Sequence, residues 1–388
     1  MKRAGEKKVD ILIYTHEFPP QIGGAGAYSY ELAKHLSQLG KKVIVFTRLY
    51  NNAENLKFDK RQSFKIIRLR FISRWKINYV INTLVLMCLL VRYTPKNLLI
   101  SEHGSQQVMS YAAFFIPKRY LVLAHGSEVL VNFYKRNFAK KFFRRFYEKA
   151  KRIISISQYT KNLLVGLGFP EEKITVIHPG INTALFMEET NESHVLGIKQ
   201  RYGLTGRKVL LTLARLDPRK GQDMVIRALP LVKNFDRDIA YLICGEGKDR
   251  PRLEKIVAAC QVKDNVFFVG VLSEDQKILF FDACDIFIQP SRQAGNWVEG
   301  FGITFLEAAI RRKPIIAGNH GGVPEAVLDG TTGLLVNPTN PQEIAGAIIK
   351  LLKDEAAAAK LGERARERCL QEFDWTMVAE KFIGLLEK

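Results

Sequence analysis

Cysteine is scarce in this 388-residue chain: Cys88, Cys244, Cys260, Cys284 and Cys369 are scattered singly and odd in number. None lies in a C-x-x-C or other zinc-like spacing. That excludes a disulfide framework or a zinc module and points to reduced core thiols in a cytoplasmic protein. Long apolar runs are also missing. The nearest approach, INYVINTLVLMCLLV at residues 77–91, is fifteen residues long, whereas a spanning helix needs about 20. It reads as core or interfacial. The run ILIY behind the basic N-terminus is too short for a signal peptide and reads as a first strand. Acid is scarce in one half only. Residues 1–170 hold 9 Asp and Glu against 30 Lys and Arg, a net of +21, while the remainder holds 30 against 29, a net of −1. General solubility does not produce such segregation. An anionic surface, of membrane or nucleic acid, is the expected partner of the first half.

What is present is an ordinary globular composition, 47% hydrophobic and 25% charged, with nothing disordered or collagenous about it. The length calls for two domains or more. Short apolar strands alternate with helical patterns: VDILIYT, KKVIVFT, NLLIS, YLVLAHG and RIISIS, then KVLLTLAR, AYLICG, NVFFVG, DIFIQPS and KPIIAG. Continuous apolar strands separated by helices indicate parallel sheets covered on both faces. Two such series break near residues 176–186. The expectation is an α/β protein of two doubly wound Rossmann-like domains, residues 1–178 and 179–373, facing an interdomain cleft. The amphipathic tail 374–388 crosses back as a terminal helix. Ligands of open α/β sheets bind at the carboxyl ends of strands.

Three constellations fall at such ends. In HEFPPQIGGAGAYSYELAKHL, Gly23, Gly24 and Gly26 lie between a strand and a helix with apolar periodicity from near Tyr28. Bare backbone at a helix start can approach an anion. The G-x-G-x-x-G pattern is not met, because position 29 is serine, and no Walker lysine follows; a turn role alone stays open. After KVLLTLA comes RLDPRKGQD, where Arg215 and Lys220 could converge on a diphosphate and stabilise charge gathering on it. A solvated basic loop is the bland alternative. After DIFIQPS comes NWVEGFGITFLEA. A helix starting near Ile303 would turn its positive end to the ligand. Glu307, one turn inside an apolar run, wants a partner and could grip vicinal hydroxyls, with Glu299 reaching a group beyond the phosphates. A glycosidase acid–base pair fits poorly, since hydrolysis of a neutral glycoside has no use for a phosphate cradle.

Together, ARLDPRKG, GEGKDRPRLE, EGFGITFLEA and GGVPEAVLDGTTGLLV resemble the family-4 retaining glycosyltransferases of GT-B fold. FPPQIGG, LDPRKGQD and SRQAGNWVEGFGI are similar to the phosphatidylinositol mannosyltransferases among them. The likeness covers nearly the whole chain and is strongest in its second half. It implies that Arg215 and Lys220 bind the donor diphosphate, Glu307 the ribose, and Glu299 a sugar hydroxyl, with the amides of Phe301, Gly302 and Ile303 alongside. It implies further that Gly23 and Gly24 close on the phosphate, that the backbone near Gly245–Gly247 and Val271 borders the base, and that His125 in LAHGSE faces the donor sugar. Catalytic roles then fall to His125, Arg215, Lys220 and Glu299. Transfer would retain anomeric configuration with no metal or cofactor, the cations doing the work of magnesium. The literal Asp236-Arg237-Asp238 precedes its strand and lies at the wrong end. Mannose is the implied sugar, and guanosine- and uridine-linked donors both fit.

The basic half suggests how the acceptor arrives. FYKRNFAKKFFRRFYEKAKR, residues 133–152, carries nine basic residues, seven aromatics and one acid. Basic amphipathic helices of this kind lie on anionic membranes, and Lys140, Lys141, Arg144 and Arg145 are the expected contacts. KFDKRQSFKIIRLRFISRWK, residues 57–76, adds eight more basic groups. A membrane lipid, lipid-linked or glycan acceptor follows, with the protein peripheral on the inner face of the membrane. The alternatives are a soluble glycosyltransferase, a sugar-nucleotide epimerase on the same architecture, or a nucleic-acid binder; no nucleic-acid module is recognisable.

Overall fold

The structure, a computed structural model, describes residues 9–20, 23–70, 75–113, 115–116, 120–133 and 139–387. The chain divides into two compact units, Met1–Gly180 with Trp375–Lys388, and Ile181–Asp374. Both are doubly wound, all-parallel and Rossmann-like.

The first unit begins with β1 (Ile11–Tyr14), α1 (Gly24–Gln38), β2 (Val43–Leu49), α2 (Asn52–Asp59), β3 (Lys65–Arg70) and α3 (Trp75–Tyr93). It continues through β4 (Asn97–Ile100), α4 (His103–Ala112), β5 (Leu121–Ala124), α5 (Ser127–Phe133) and α6 (Ala139–Lys149). It closes with β6 (Arg152–Ser155), α7 (Gln158–Gly166) and β7 (Ile174–Val176). Its seven strands run in the order β3-β2-β1-β4-β5-β6-β7. Every residue of β1 is buried, as a central strand covered on both faces must be. Leu12, Tyr14, Ile44, Phe46, Leu98 and Val122 form one core with apolar side chains of α3, α4 and α6.

The second unit runs α8 (Thr183–Phe186), α9 (Glu192–Arg201), β8 (Lys208–Leu213), α10 (Gln222–Lys233), β9 (Ile239–Cys244) and α11 (Arg250–Ala259). Next come β10 (Val266–Gly270), α12 (Glu274–Ala283), β11 (Ile286–Gln289), α13 (Ile303–Ile310) and β12 (Ile315–Gly318). Then follow α14 (Val323–Ala326), β13 (Leu334–Val336), α15 (Pro341–Lys353) and α16 (Glu355–Glu372). The strand order is β10-β9-β8-β11-β12-β13. The last helix, α17 (Trp375–Leu386), returns to the first unit and packs on α1. There the Trp375 ring meets Tyr28 edge-on at 5.0 Å.

The basic runs of the first unit are less available than the sequence suggests. Lys65–Arg70 forms β3, the edge strand beside β2. Arg68 is spent there: its guanidinium, 5% exposed, pairs with Asp59 at 2.8 Å and donates to the Pro19 carbonyl at 2.6 Å. Helix α6 is amphipathic, but its apolar face is committed to the core through Phe143, Phe146 and Tyr147, so it cannot lie in a bilayer on that face. Only its basic side is on the surface. Lys140, Lys141 and Arg145 are exposed. Arg144 is half-buried, donating to the Leu167 carbonyl at 2.8 Å and stacking over Phe169. Residues 134–138 of that run lie outside the described residues. Among the described residues no helix is long and apolar enough to cross a membrane.

Candidate active site

The strand order reverses direction between β8 and β11, and that switch point is where an open parallel sheet leaves a crevice at its carboxyl edge. The two loops leaving these neighbouring strands are the two that carry the predicted charges. Glycines hold the first loop in place. Gly221 has φ +80°, and a Cβ there would stand 2.1 Å from the Pro290 carbonyl oxygen. Gly245, at φ +133°, lets β9 approach so closely that a Cβ would lie 2.1 Å from the Ala214 oxygen. This close packing is what Gly245 does in the fold, whatever it borders. Gln222 Nε2 fastens the loop by donating to the Arg215 carbonyl at 3.1 Å. Gly221→Ala is expected to cost more than the about 1–2 kcal/mol of a left-handed Cβ, because the carbonyl must also move. A thermal midpoint equal to the parent's would refute this.

On that loop Lys220 makes a short ion pair with Glu299, each side chain being only 11% and 12% exposed. Arg219 Nη1 stands 3.6 Å from the same carboxylate and donates to the Val298 carbonyl at 3.0 Å. Burial pushes Glu299 upward, but Lys220, Arg219 and then Arg215 override it and hold the carboxyl below the ordinary range. Burial also pulls Lys220 below its ordinary value, with Glu299 opposing and Arg219 and Arg215 assisting. Arg215 itself is exposed. The site therefore holds three cations against two carboxylates, Glu299 and Asp217, the latter 3.8 Å from Arg219 Nε, a net positive pocket suited to an anion. Glu299 is steadied from behind, where Gly322 N donates to its carbonyl at 3.0 Å. Gly321, at φ +64°, permits that approach.

Helix α13 starts at Ile303, where the sequence places it. Its N-cap Gly302, at φ +96°, offers no capping side chain, and no acid occupies the first turn, so the positive end carries no side-chain cap. The Phe301 side chain is core, against Phe373 at 5.6 Å, leaving only its backbone for the site. Glu307, 7% exposed, pairs with Lys277 at 3.5 Å through Oε1, while Oε2 is buried with no hydrogen-bond partner. Burial raises its pKa above the usual carboxylate value despite Lys277, with Glu274 adding to the rise. Burial lowers Lys277, but Glu307 and Glu274 reverse that and push it up to about 12. An orphaned buried oxygen is costly, and a donor pair such as a vicinal diol would satisfy it. Val271 is 75% exposed at the end of β10, an apolar surface open to a planar ring.

In the first unit, Gly23 is the N-cap of α1 and Gly24 its first residue, so the helix begins four residues before the periodicity becomes visible at Tyr28. A Cβ on Gly24 would meet nothing within 4 Å, whereas one on Gly26 would press on Glu17 at 3.1 Å. His125 follows β5. Its Nε2 donates to the Ser101 carbonyl at 2.9 Å, its backbone amide is bound by Glu128, and its ring meets Tyr28 edge-on at 5.7 Å. A carbonyl can only accept, so Nε2 carries a proton.

Sequence reasoning missed Arg219 and Lys277. Arg219 stood beside Lys220 in DPRKG and was hidden by having no spacing rule. Lys277, in DQKILFF, carries no local signal at all, because its partner Glu307 is thirty residues away. The two glutamates of the E-x7-E segment do not act as one pair; each has its own lysine. Among the described residues no cluster of His, Cys, Asp and Glu could hold a metal.

Two parallel-sheet units with a cationic pocket at the switch point define a GT-B glycosyltransferase architecture. The chain belongs to the glycosyltransferases: residues 22–185 match Glycosyltransferase Family 4 and residues 197–368 match Glycosyl transferases group 1. It is 34% identical over 245 residues to a GDP-mannose-dependent alpha-(1-6)-phosphatidylinositol monomannoside mannosyltransferase of Mycolicibacterium smegmatis, covering 63% of this chain and 64% of the relative. It is 28% identical over 388 residues to a GDP-mannose-dependent monoacylated alpha-(1-6)-phosphatidylinositol monomannoside mannosyltransferase of Corynebacterium glutamicum, covering 97% of each. The crystal structure of Anabaena HepE in complex with UDP-glucose superposes with a TM-score of 0.82 at 20% identity, over 97% of this chain and 99% of that one. At that identity the likeness speaks for the fold.

Proposed function

We propose that the protein transfers a sugar, mannose, from a nucleotide-diphosphate sugar to a membrane lipid or lipid-linked acceptor, with retention of anomeric configuration. The observation that carries this is the second unit's pairing of a net cationic pocket (Arg215, Arg219, Lys220 around Glu299) with a separate buried carboxylate, Glu307, whose Oε2 has no partner. The first suits a diphosphate, the second a ribose diol. The mannosyltransferase relatives support the choice of sugar. In the proposed reaction the bond from the anomeric carbon to the β-phosphate oxygen breaks, and the acceptor oxygen bonds to that carbon on the same face. The acceptor's proton passes to the leaving phosphate. Arg215 and Lys220 take up the charge that develops there, so no metal is required.

The exposed cations of α6, Lys140, Lys141 and Arg145, support a seat on anionic lipid at the cytoplasmic face, each contributing about 1 kcal/mol when near the surface. The purified protein is expected to transfer mannose from GDP-mannose into an anionic lipid extract. GDP should raise its thermal midpoint more than UDP does. Absence of transfer from both GDP- and UDP-sugars would overturn the reading. Activity abolished by a chelator and restored by magnesium would overturn its metal-free part.

A further inference from the structure

Helix α3 has two faces of unequal fate. Asn82, Leu86, Leu89 and Tyr93 are buried against the sheet. Opposite them Ile77, Val80, Leu84, Met87 and Val91 are 40%, 60%, 57%, 36% and 79% exposed. At 100° per residue these five fall within an arc of about 80° and span about 21 Å of helix. An amphipathic helix should turn charge outward; this one turns out aliphatic side chains. Scattered exposed apolar residues need no explanation, but a continuous stripe does.

The surroundings say what covers it. Helix α3 packs on α4 and α4 on α6, over one core. Ring contacts Tyr79–Tyr111 at 5.7 Å and Tyr111–Phe142 at 5.1 Å join the three helices along their outer surface. Tyr111 is 42% and Phe115 70% exposed on the same layer. From Lys60 to Tyr147 the sequence holds 17 Lys and Arg and only two acids, Glu102 and Glu128, and both acids are buried, at 4% and 5% exposure. The exposed acid on the described helices of this layer is Glu148, near the end of α6 and 3.7 Å from Arg144 Nη1, so the layer's surface stays strongly cationic. Two copies meeting on it would set like charge against like. An anionic lipid surface answers both features, phosphates for the cations and acyl chains for the stripe.

We propose that α3 is a membrane-inserting element: Ile77, Val80, Leu84, Met87 and Val91 enter the acyl boundary of an anionic bilayer while the α6 cations engage its headgroups. The helix lies parallel to the membrane and does not cross it. This deepens the membrane reading given above and rests on it. The division of labour makes binding partly resistant to salt, since screening weakens the α6 contacts and leaves apolar insertion in place.

Cys88 supplies the probe, being exposed on α3 beside the stripe while Cys244, Cys284 and Cys369 are buried. In a Cys260→Ser background, Cys88 is labelled with a polarity-sensitive fluorophore and mixed with phosphatidylglycerol–phosphatidylcholine vesicles. The emission should shift to the blue. A Val80→Glu/Leu84→Glu variant, at two exposed positions, should lose the shift. Its partitioning in about 0.5 M salt, where the Debye length is only a few ångströms, should fall at least about ten-fold, with an unchanged thermal midpoint. Sedimentation with the vesicles but no shift would overturn the inference and leave the membrane reading intact. No sedimentation at any salt would overturn both. A vesicle-independent shift in a dimer that Leu84→Glu dissociates would assign the stripe to a second copy and overturn insertion.

Discussion

Lys220→Ala is expected to lower kcat/KM for sugar transfer by about 10²–10³-fold, the cost of removing one charge-stabilising donor from a site where anionic charge develops. The fold should survive, but less stably. Glu299 would keep Arg219, 3.6 Å away, and the weaker influence of Arg215, and a buried carboxylate stripped of its nearest cation costs about 3–5 kcal/mol. Loss of activity could then be blamed on unfolding, so the double variant Lys220→Met/Glu299→Gln is the discriminating one. It removes both charges at similar volume, and should regain most of the lost stability while regaining none of the activity. Near-parental turnover in either variant would remove Lys220 from the donor site. Recovery of activity together with stability would mean that the ion pair is only a strut.

Glu307→Gln should separate function from stability in the opposite direction. The raised pKa of Glu307 means that the folded protein binds a proton there more readily than the unfolded chain does. Between the ordinary value of 4.5 and its raised value, the folded state holds more protons, so stability falls as pH rises through that window. Below 4.5 both states are protonated and the cost vanishes. The amide cannot ionise, and Lys277 keeps Glu274 at 2.6 Å. The variant's thermal midpoint should therefore equal the parent's near pH 4 and exceed it once pH has risen through that window. Nucleotide affinity should meanwhile drop about 10–150-fold, the worth of a hydrogen bond to a charged group. A midpoint below the parent's at pH 7 would contradict the burial argument, and unaltered GDP affinity would contradict the ribose role.

Local chemistry made much of this legible. The apolar runs that became β1, β2, β8 and β9 are continuous because each is buried on both faces, and a continuous run is a local signal. The start of α13 at Ile303 could be read because EGFG supplies the positive φ that only glycine takes easily, just before an apolar helical stretch. Other features were opaque for equally physical reasons. The edge strand Lys65–Arg70 carries cations on a half-exposed face, so its pattern resembles a surface run until β2 pairs with it. Helix α6 has the pattern of a membrane-surface helix, but hydrophobic periodicity says only that a face is covered, never by what; here the core covers it.

From its sequence alone the protein determined two parallel α/β units, a C-terminal glycosyltransferase signature with Arg215, Lys220 and Glu299 in the loops after strands and Glu307 inside the helix that follows, and an excess of positive charge confined to the first half. Those are properties of short stretches and of composition, fixed before the chain folds. Tertiary structure decided which charge neutralises which. It gave Glu299 to Lys220 and Arg219, and Glu307 to Lys277, and it turned the aliphatic stripe of α3 outward while burying the aromatics of α6. Pairings between residues dozens of positions apart depend on strand order and helix rotation, and no local pattern encodes either.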